Sequence, residues 1–357
     1  MKIGLVGFPQ SGKTTLFNLL TGSGHEDMPG AAEVHLGSAV VPDKRLDFLA
    51  DLYKPRRSVP AQIQFKDIPG VSAEASAAFA ARMLEEVRSS DLLVQVVRAF
   101  REEEVEAALG EPDPYRDLVE FRNELLLADM DFVEKRLTRL REARKIKGET
   151  ARQIALLERI LEGLEEEKSP GSLGFSDEEA ALLAGQSFLS DKPWLAVLNV
   201  GEEFLGGEEY PGRDRAIAYA REQQIPLLEI CARIEREISL LPPEEQAAFM
   251  ADYGLTERGI DRLARKAYQC LGLISFFTVG EDEVRAWTVS QGTPVRKAAG
   301  KIHSDMERGF IRAEVFPFHD LERLGTPLKV KEAGLMRLEG KDYIVQDGDI
   351  IHIRFNV

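Results

Sequence analysis

The segment Gly7-Phe8-Pro9-Gln10-Ser11-Gly12-Lys13-Thr14 matches the pattern GxxxxGK[ST], and no other stretch constrains the fold of this chain as strongly. It follows the strand-like run Ile3 to Val6 and precedes the helix-like run Thr15 to Leu20, which is the strand-loop-helix context the pattern requires. There the loop's backbone N–H groups curl around phosphates, and the helix N-terminus adds partial positive charge. The expected phosphate-binding residues are Gly7, Gln10, Ser11, Gly12, Lys13, Thr14 and Thr15. Lys13 neutralises the β- and γ-phosphates and the Thr14 hydroxyl ligates magnesium. The segment therefore implies a P-loop site for ATP or GTP together with Mg2+.

Such a site needs a carboxylate at the end of a neighbouring strand. Asp67 closes the strand-like run Ala61 to Lys66 and opens Asp67-Ile68-Pro69-Gly70, a DxxG pattern whose Gly70 amide can meet the γ-phosphate. Asp and Gly are common turn formers, so the pattern draws its weight from lying downstream of the P-loop. Thr14 and Asp67 are the expected metal ligands, and Lys13 and Asp67 the expected catalytic residues. Base recognition in GTPases rests on NKxD; the candidate here is Asn199-Val200-Gly201-Glu202. Glutamate is one methylene longer than aspartate, so the carboxylate of Glu202 should miss the plane and reach of a guanine clamp.

Strand-like and helical runs alternate through the first hundred residues, which indicates a parallel α/β sheet. Leu92 to Val97 is apolar on both faces except at Gln95, as a central parallel strand should be. From Tyr115 a coiled-coil-like seam begins, with Val119, Leu126, Met130, Val133, Leu137 and Leu140. After Lys147-Gly148-Glu149, residues Ile154, Leu157, Leu161 and Leu164 repeat the spacing, predicting an antiparallel helical hairpin. Strand character returns at Trp194 to Asn199 and Pro226 to Cys231, so the hairpin is inserted within the α/β domain. Beyond Leu273 short strands and turns indicate a small α+β domain. The expected division is 1–114 and 186–272 for the nucleotide-binding domain, 115–185 for the hairpin and 273–357 for the last domain.

With 46 Lys and Arg against 61 Asp and Glu, the 357-residue chain has a net charge of -15 and repels polyanions at long range. Any RNA contact must be local, and DNA is not an expected partner. Lys135, Arg136, Arg139, Arg141, Arg144, Lys145 and Lys147 crowd one end of the first hairpin helix with Glu142 as the only acid, either a site for RNA phosphates or a solvated coiled-coil face. Cys231 and Cys270 lack metal or redox spacing. His303 reads as a structural or surface histidine. No secretion signal and no membrane-length apolar run is present, so a soluble, cytoplasmic protein without a membrane partner is expected; oligomeric state is not readable.

Together these segments resemble the YchF subfamily of Obg-like P-loop ATPases over essentially the whole chain. The resemblance is strongest in Val284-Arg285-Ala286-Trp287-Thr288, Ala299-Gly300-Lys301-Ile302-His303-Ser304-Asp305, Gly309-Phe310-Ile311-Arg312-Ala313 and Glu339-Gly340-Lys341-Asp342-Tyr343-Ile344-Val345. It implies an α/β P-loop NTPase with an inserted coiled-coil hairpin and a C-terminal ubiquitin-like β-grasp (TGS) domain. It also implies slow ATP hydrolysis and association with the ribosome or RNA through the hairpin and TGS domain. Asn199 and Glu202 are similar to the family's altered base motif, associated with ATP in place of GTP. Cys231-Ala232-Arg233 looks like its last base-contacting loop, which adds Cys231 and Ala232 to the cofactor-binding set.

The chain departs from the family at several points. Gln10 stands where the family usually has Asn, a candidate potassium ligand, so potassium dependence does not carry over. No threonine lies between Gly22 and Asp67. Ala31 falls where the switch threonine should meet magnesium and the γ-phosphate, and Ser38 is several positions away. Ser72 to Ala81 replaces a glycine-rich switch with alanine-rich sequence, and Ala favours helix by about 1 kcal/mol per residue over Gly. Val71 follows DxxG where Ras-like enzymes place a water-orienting Gln. These departures imply weak or absent hydrolysis.

Overall fold

The run from Leu92 to Ala99 is buried at all eight positions, so both its faces need cover. A computed structural model describes residues 1–24, 33–70, 77–142, 148–205 and 209–356. In chain order the elements begin with β1 (Lys2–Val6), α1 (Lys13–Thr21), β2 (His35–Val41), α2 (Lys44–Tyr53), β3 (Arg57–Val59) and β4 (Ala61–Asp67). Next come α3 (Ala77–Arg88), β5 (Leu92–Ala99), α4 (Glu103–Leu109), α5 (Pro114–Arg141), α6 (Gly148–Glu165) and α7 (Asp177–Leu182). Then follow β6 (Trp194–Val200), α8 (Arg213–Glu222), β7 (Leu227–Ile230), α9 (Ala232–Leu240), α10 (Pro243–Asp252) and α11 (Gly259–Cys270). The last are β8 (Leu273–Val279), β9 (Glu283–Ser290), α12 (Val295–Ile302), α13 (Ser304–Arg308), β10 (Phe310–Pro317), α14 (Phe318–Leu324), α15 (Pro327–Glu332), β11 (Arg337–Glu339) and β12 (Asp349–Phe355).

The first sheet has the order β2-β4-β1-β5-β6-β7. The pairs β1–β5, β5–β6 and β6–β7 are parallel, with Val6 opposite Gln95, Arg98 opposite Asn199 and Asn199 opposite Ile230. This register gathers the carboxyl ends of the strands at one rim, the position at which open α/β sheets bind ligands. Leu93 packs with Phe121, Leu125, Met83 and Val87 from α5 and α3. Val97 and Ala99 join Leu118, Ala216 and Ile234. Each of the larger side chains here contributes about 1.5–3 kcal/mol on burial. Gln95, the polar exception, is fully buried, and its Nε2 donates to the Asp117 carbonyl at 2.9 Å.

Helices α5 and α6 form the hairpin. Asp113 caps α5 by accepting from the Arg116 amide, and Pro114 occupies the first turn, where a missing N–H costs nothing. The seam is built from Leu126, Val133, Leu137, Leu156, Leu157, Ile160 and Leu164, with Met130, Leu140, Ile154 and Leu161 partly buried. At its base Leu118 is buried and Val119 is not fully so, one position off the predicted seam, because there α5 turns its apolar face to the sheet. Asp129, fully buried on α5, accepts from the amides of Leu189 (2.9 Å) and Ser190 (2.8 Å) and from Ser190 Oγ (2.7 Å). Burial pushes its carboxyl pKa up while those bonds oppose the shift.

By contacts the chain divides into two compact units: Met1–Leu19, Gly24–Leu36 and Lys66–Thr256 form the first, and Leu20–Ser23, Gly37–Phe65 and Glu257–Val357 the second. The second contains a sheet of order β11-β10-β12-β8-β9-β3. In it β8–β9, β10–β12 and β10–β11 are antiparallel and β12–β8 is parallel. Phe276, Val289, Val315, Ile351 and Ile353 pack beneath Val295, Ala298 and Ala299 of α12. Residues 37–65 group with this unit because α2 and β3 pack on it. Among the described residues no helix is long and apolar enough to cross a membrane.

Candidate nucleotide site

β1 delivers the chain to the sheet rim with Ile3 and Leu5 fully buried. Gly7 then takes φ +139°, and a Cβ there would lie 2.3 Å from the Val96 carbonyl. Gly12 takes φ +90°, and a Cβ would lie 2.3 Å from Asn199 Nδ2. Only glycine meets both conditions. Gln10 also has positive φ, 59°, and is exposed. Lys13 is buried, and its Nζ donates to the carbonyls of Gly7 and Phe8, both at 2.9 Å. Leu16 is the first residue to close an α-turn, onto Gly12 at 3.0 Å. The preceding first-turn amides of Lys13, Thr14 and Thr15 have no intrahelical acceptor and form a donor set for an anion. Ser11 is 2% exposed, and its Oγ has no hydrogen-bond partner among the described residues.

At the end of β4, Thr14 Oγ1 donates to Asp67 Oδ2 at 2.6 Å. Strand β4 reaches this point with Phe65 fully buried and Lys66 anchored to Glu86 (2.9 Å) and Ser89 (2.6 Å). Beyond it, the Ile68 amide donates to the Leu5 carbonyl at 3.1 Å. Gly70 comes against the P-loop, where a Cβ would lie 3.1 Å from the Gly7 carbonyl and 3.2 Å from the Pro9 nitrogen. A hydroxyl and a carboxylate side by side are hard oxygen donors few in number, which suits a magnesium ion that keeps waters and phosphate oxygens as its other ligands. The glycine cradle and this donor pair fit a Mg2+-nucleotide.

At the end of β6, Asn199 Nδ2 donates to the Ser11 carbonyl and its Oδ1 accepts from the Ala232 amide, both at 3.0 Å. One buried amide thus ties the P-loop, β6 and the start of α9 together. Cys231 caps α9 without a side-chain cap bond, and burial raises its thiol pKa. Glu202 lies beside this cluster, close enough for its charge to act on Cys231. It begins a short 3-10 turn, Glu202–Phe204, and its partly exposed carboxylate lies 3.8 Å from Arg233 Nε. Arg233, present in the Cys-Ala-Arg segment but not counted among the site residues in the sequence, is thereby added to the rim. Its signal is a cation two positions past Cys231. Ala31, Val71 and residues 72–76 lie outside the described residues, as do Arg144, Lys145 and Lys147. The alanine-rich run is helical from Ala77 onward, and Ser38 is exposed within β2.

Residues 2–127 match a family described as 50S ribosome-binding GTPase. Residues 273–356 match a family described as protein of unknown function (DUF933). The Bacillus subtilis (strain 168) protein named Ribosome-binding ATPase YchF is 41% identical over 363 residues, covering 99% of each chain. The protein of the same name from Escherichia coli O157:H7 is 39% identical over 362 residues, covering 100% of this chain and 99% of the relative. A solved structure titled Structure of the Schizosaccharomyces pombe YchF GTPase superposes with a TM-score of 0.86 at 30% identity, covering 99% of this chain and 97% of that one. A GTP binding protein from Pyrococcus horikoshii OT3, with a TM-score of 0.58 at 19% identity, shares the fold alone.

Proposed function

The chain belongs to the YchF family, and from that premise we propose that it binds ATP with magnesium, hydrolyses it slowly and associates with ribosomes as a nucleotide-dependent switch. The observation that carries this reading is the convergence of the buried Lys13 ammonium with the 2.6 Å Thr14–Asp67 pair at the mouth of a glycine cradle. Thr14 and Asp67 would hold magnesium, whose chemistry is to neutralise charge on β- and γ-phosphate oxygens. Lys13 would add a second positive charge there, the first-turn amides of α1 would receive the phosphates, and the Gly70 amide would meet the γ-phosphate. Asn199 keeps the P-loop in register with Ala232, and with Cys231 these residues border the base.

ATP is favoured over GTP by the length of Glu202 and its pairing with Arg233. The two relatives named above are both called ribosome-binding ATPases. The basic end of the hairpin and the C-terminal domain, read as a TGS β-grasp module, are the surfaces we assign to ribosome or RNA contact, in the cytoplasm. The expected division at 114, 185 and 272 belongs to the same proposal.

Slow turnover follows from Val71, whose apolar side chain cannot orient a water. Magnesium-dependent phosphate release from ATP by the purified protein, lost in Lys13→Ala, tests the enzyme reading. Release equal to buffer overturns it. A second reading, nucleotide sensing without turnover, is favoured by the absence of threonine between Gly22 and Asp67; it requires ATP binding with no phosphate release.

A further inference from the structure

Residues 42–60 connect two strands of the nucleotide sheet, yet they are anchored on the C-terminal sheet. Asp43 caps α2 by accepting from the Arg45 amide at 3.0 Å. The Arg45 guanidinium is then shared between two carboxylates. Its Nε and Nη2 donate to Asp43 at 2.9 and 2.8 Å, and its Nη1 and Nη2 donate to Asp347 at 2.8 and 3.2 Å. Asp347 is itself fixed, since its Oδ1 accepts from the Ser275 amide at 2.9 Å. The same guanidinium lies 5.3 Å from the Phe277 ring centroid, and Phe48 meets Phe318 edge-on at 5.3 Å.

The chain next enters β3, which runs parallel to β9 with Arg57 opposite Glu283 and Val59 opposite Arg285. The Arg56 and Arg57 amides donate to the carbonyls of Glu281 and Asp282 at 3.1 and 3.2 Å. After Pro60 it continues directly as β4, whose last residue is Asp67.

We propose that residues 42–60 are a strap through which magnesium-nucleotide binding at Asp67 is coupled to the C-terminal sheet, with Arg45 as its clamp. The inference rests on the nucleotide reading above. An extended strand spans about 3.3 Å per residue and has little slack. When the Thr14–Asp67 hydrogen bond is exchanged for metal ligation, any movement of Asp67 along β4 is taken up at β3 and at the Arg45 fork. Because coupling is a free energy it is reciprocal: loosening the clamp must alter nucleotide affinity, and nucleotide must alter the pairing of β3 with β9. Arg45 acts as a positioning residue and touches no nucleotide.

Hydrogen exchange on the full chain, with and without ATP and magnesium, tests this. In the parent protein, ATP slows exchange in residues 7–15, in 61–70 and also in 281–290, while 310–317 of the same C-terminal sheet stays unchanged. That reference separates coupling from general stabilisation. In Arg45→Met, protection of 7–15 persists, the effect at 281–290 falls at least about threefold, and ATP affinity drops about fivefold, the lower end of ordinary coupling. Asp347→Asn, which keeps an acceptor for the Ser275 amide, gives the same result should Arg45→Met fail to fold. Protection at 7–15 with no change at 281–290 in the parent overturns the strap alone. No protection at 7–15 overturns the nucleotide reading and the strap with it.

Discussion

Thr14 and Asp67, 53 positions apart in sequence, are joined by a 2.6 Å hydrogen bond from hydroxyl to carboxylate. A bond of this kind is short because the acceptor is charged. It keeps together the two oxygens that would hold a magnesium ion. Asp67→Asn keeps an acceptor for Thr14 but removes the charge. We predict that the magnesium concentration needed for half-maximal ATP binding rises at least tenfold, about 1.4 kcal/mol, with little change in thermal stability. A magnesium titration at fixed ATP checks this, and an unchanged midpoint contradicts it.

Asn199 and Gly12 form a second pair, whose contact sets the P-loop. Removing the amide in Asn199→Ala leaves the Ser11 carbonyl and the Ala232 amide without their partner, and each unpaired buried group costs about 1–3 kcal/mol. The expected loss is about 4 to 10 °C in Tm, together with weaker ATP binding. Gly12→Ala drives a methyl to within 2.3 Å of Asn199 Nδ2 at a φ of +90°, so ATP affinity should fall about 100-fold. The double variant should stay weak, because removing Asn199 relieves the clash but not the backbone strain. Calorimetry on the two single variants and the double distinguishes clash from strain.

Residues 7–14 are legible in the sequence because the pattern dictates backbone shape, and the position of Asp67 is legible because it closes a strand-like run downstream of that loop. The buried run is legible over 92–97 from residues apolar on both faces except at Gln95, while the burial of Arg98 carries no such sign. What Asn199 does is only half legible: a loop asparagine after a strand is visible, but its two bonds to Ser11 and Ala232 depend on strand register. The Arg45–Asp347 fork joins residues 302 positions apart, and no local pattern marks either partner. The seam at Val119 and Leu118 is off by one because a heptad does not show where a helix leaves its partner for a sheet.

Glu202 supplies a prediction about the base. Its carboxylate is partly exposed and faces Arg233 at 3.8 Å, a separation at which an exposed pair contributes at most about 1 kcal/mol. Shortening it in Glu202→Asp restores the side chain that reads guanine in NKxD, so GTP affinity should rise several-fold relative to ATP. Competition of the two nucleotides for a fluorescent analogue measures the ratio; a ratio that does not move removes Glu202 from base selection.

The hairpin prediction concerns charge. Overall charge opposes contact with RNA, so binding must rest on a few cations and weaken steeply as salt rises. Changing Arg141, Arg144 and Lys145 together to Glu should abolish cosedimentation with ribosomes and leave ATP affinity nearly unchanged. The Arg141–Glu158 pair lost in this variant is exposed on both sides and contributes about 0–1 kcal/mol, so folding should survive. Cosedimentation equal to the parent at low salt would make the basic end a solvated coiled-coil face.

The central claim is that this P-loop, with its cradle, its Thr14–Asp67 pair and Glu202 at its rim, is an ATP site. Calorimetric titration of the purified protein with ATP and with GTP, both in magnesium, tests it most directly. The account predicts ATP binding at least tenfold tighter, about 1.4 kcal/mol; GTP binding tighter by the same factor would contradict it.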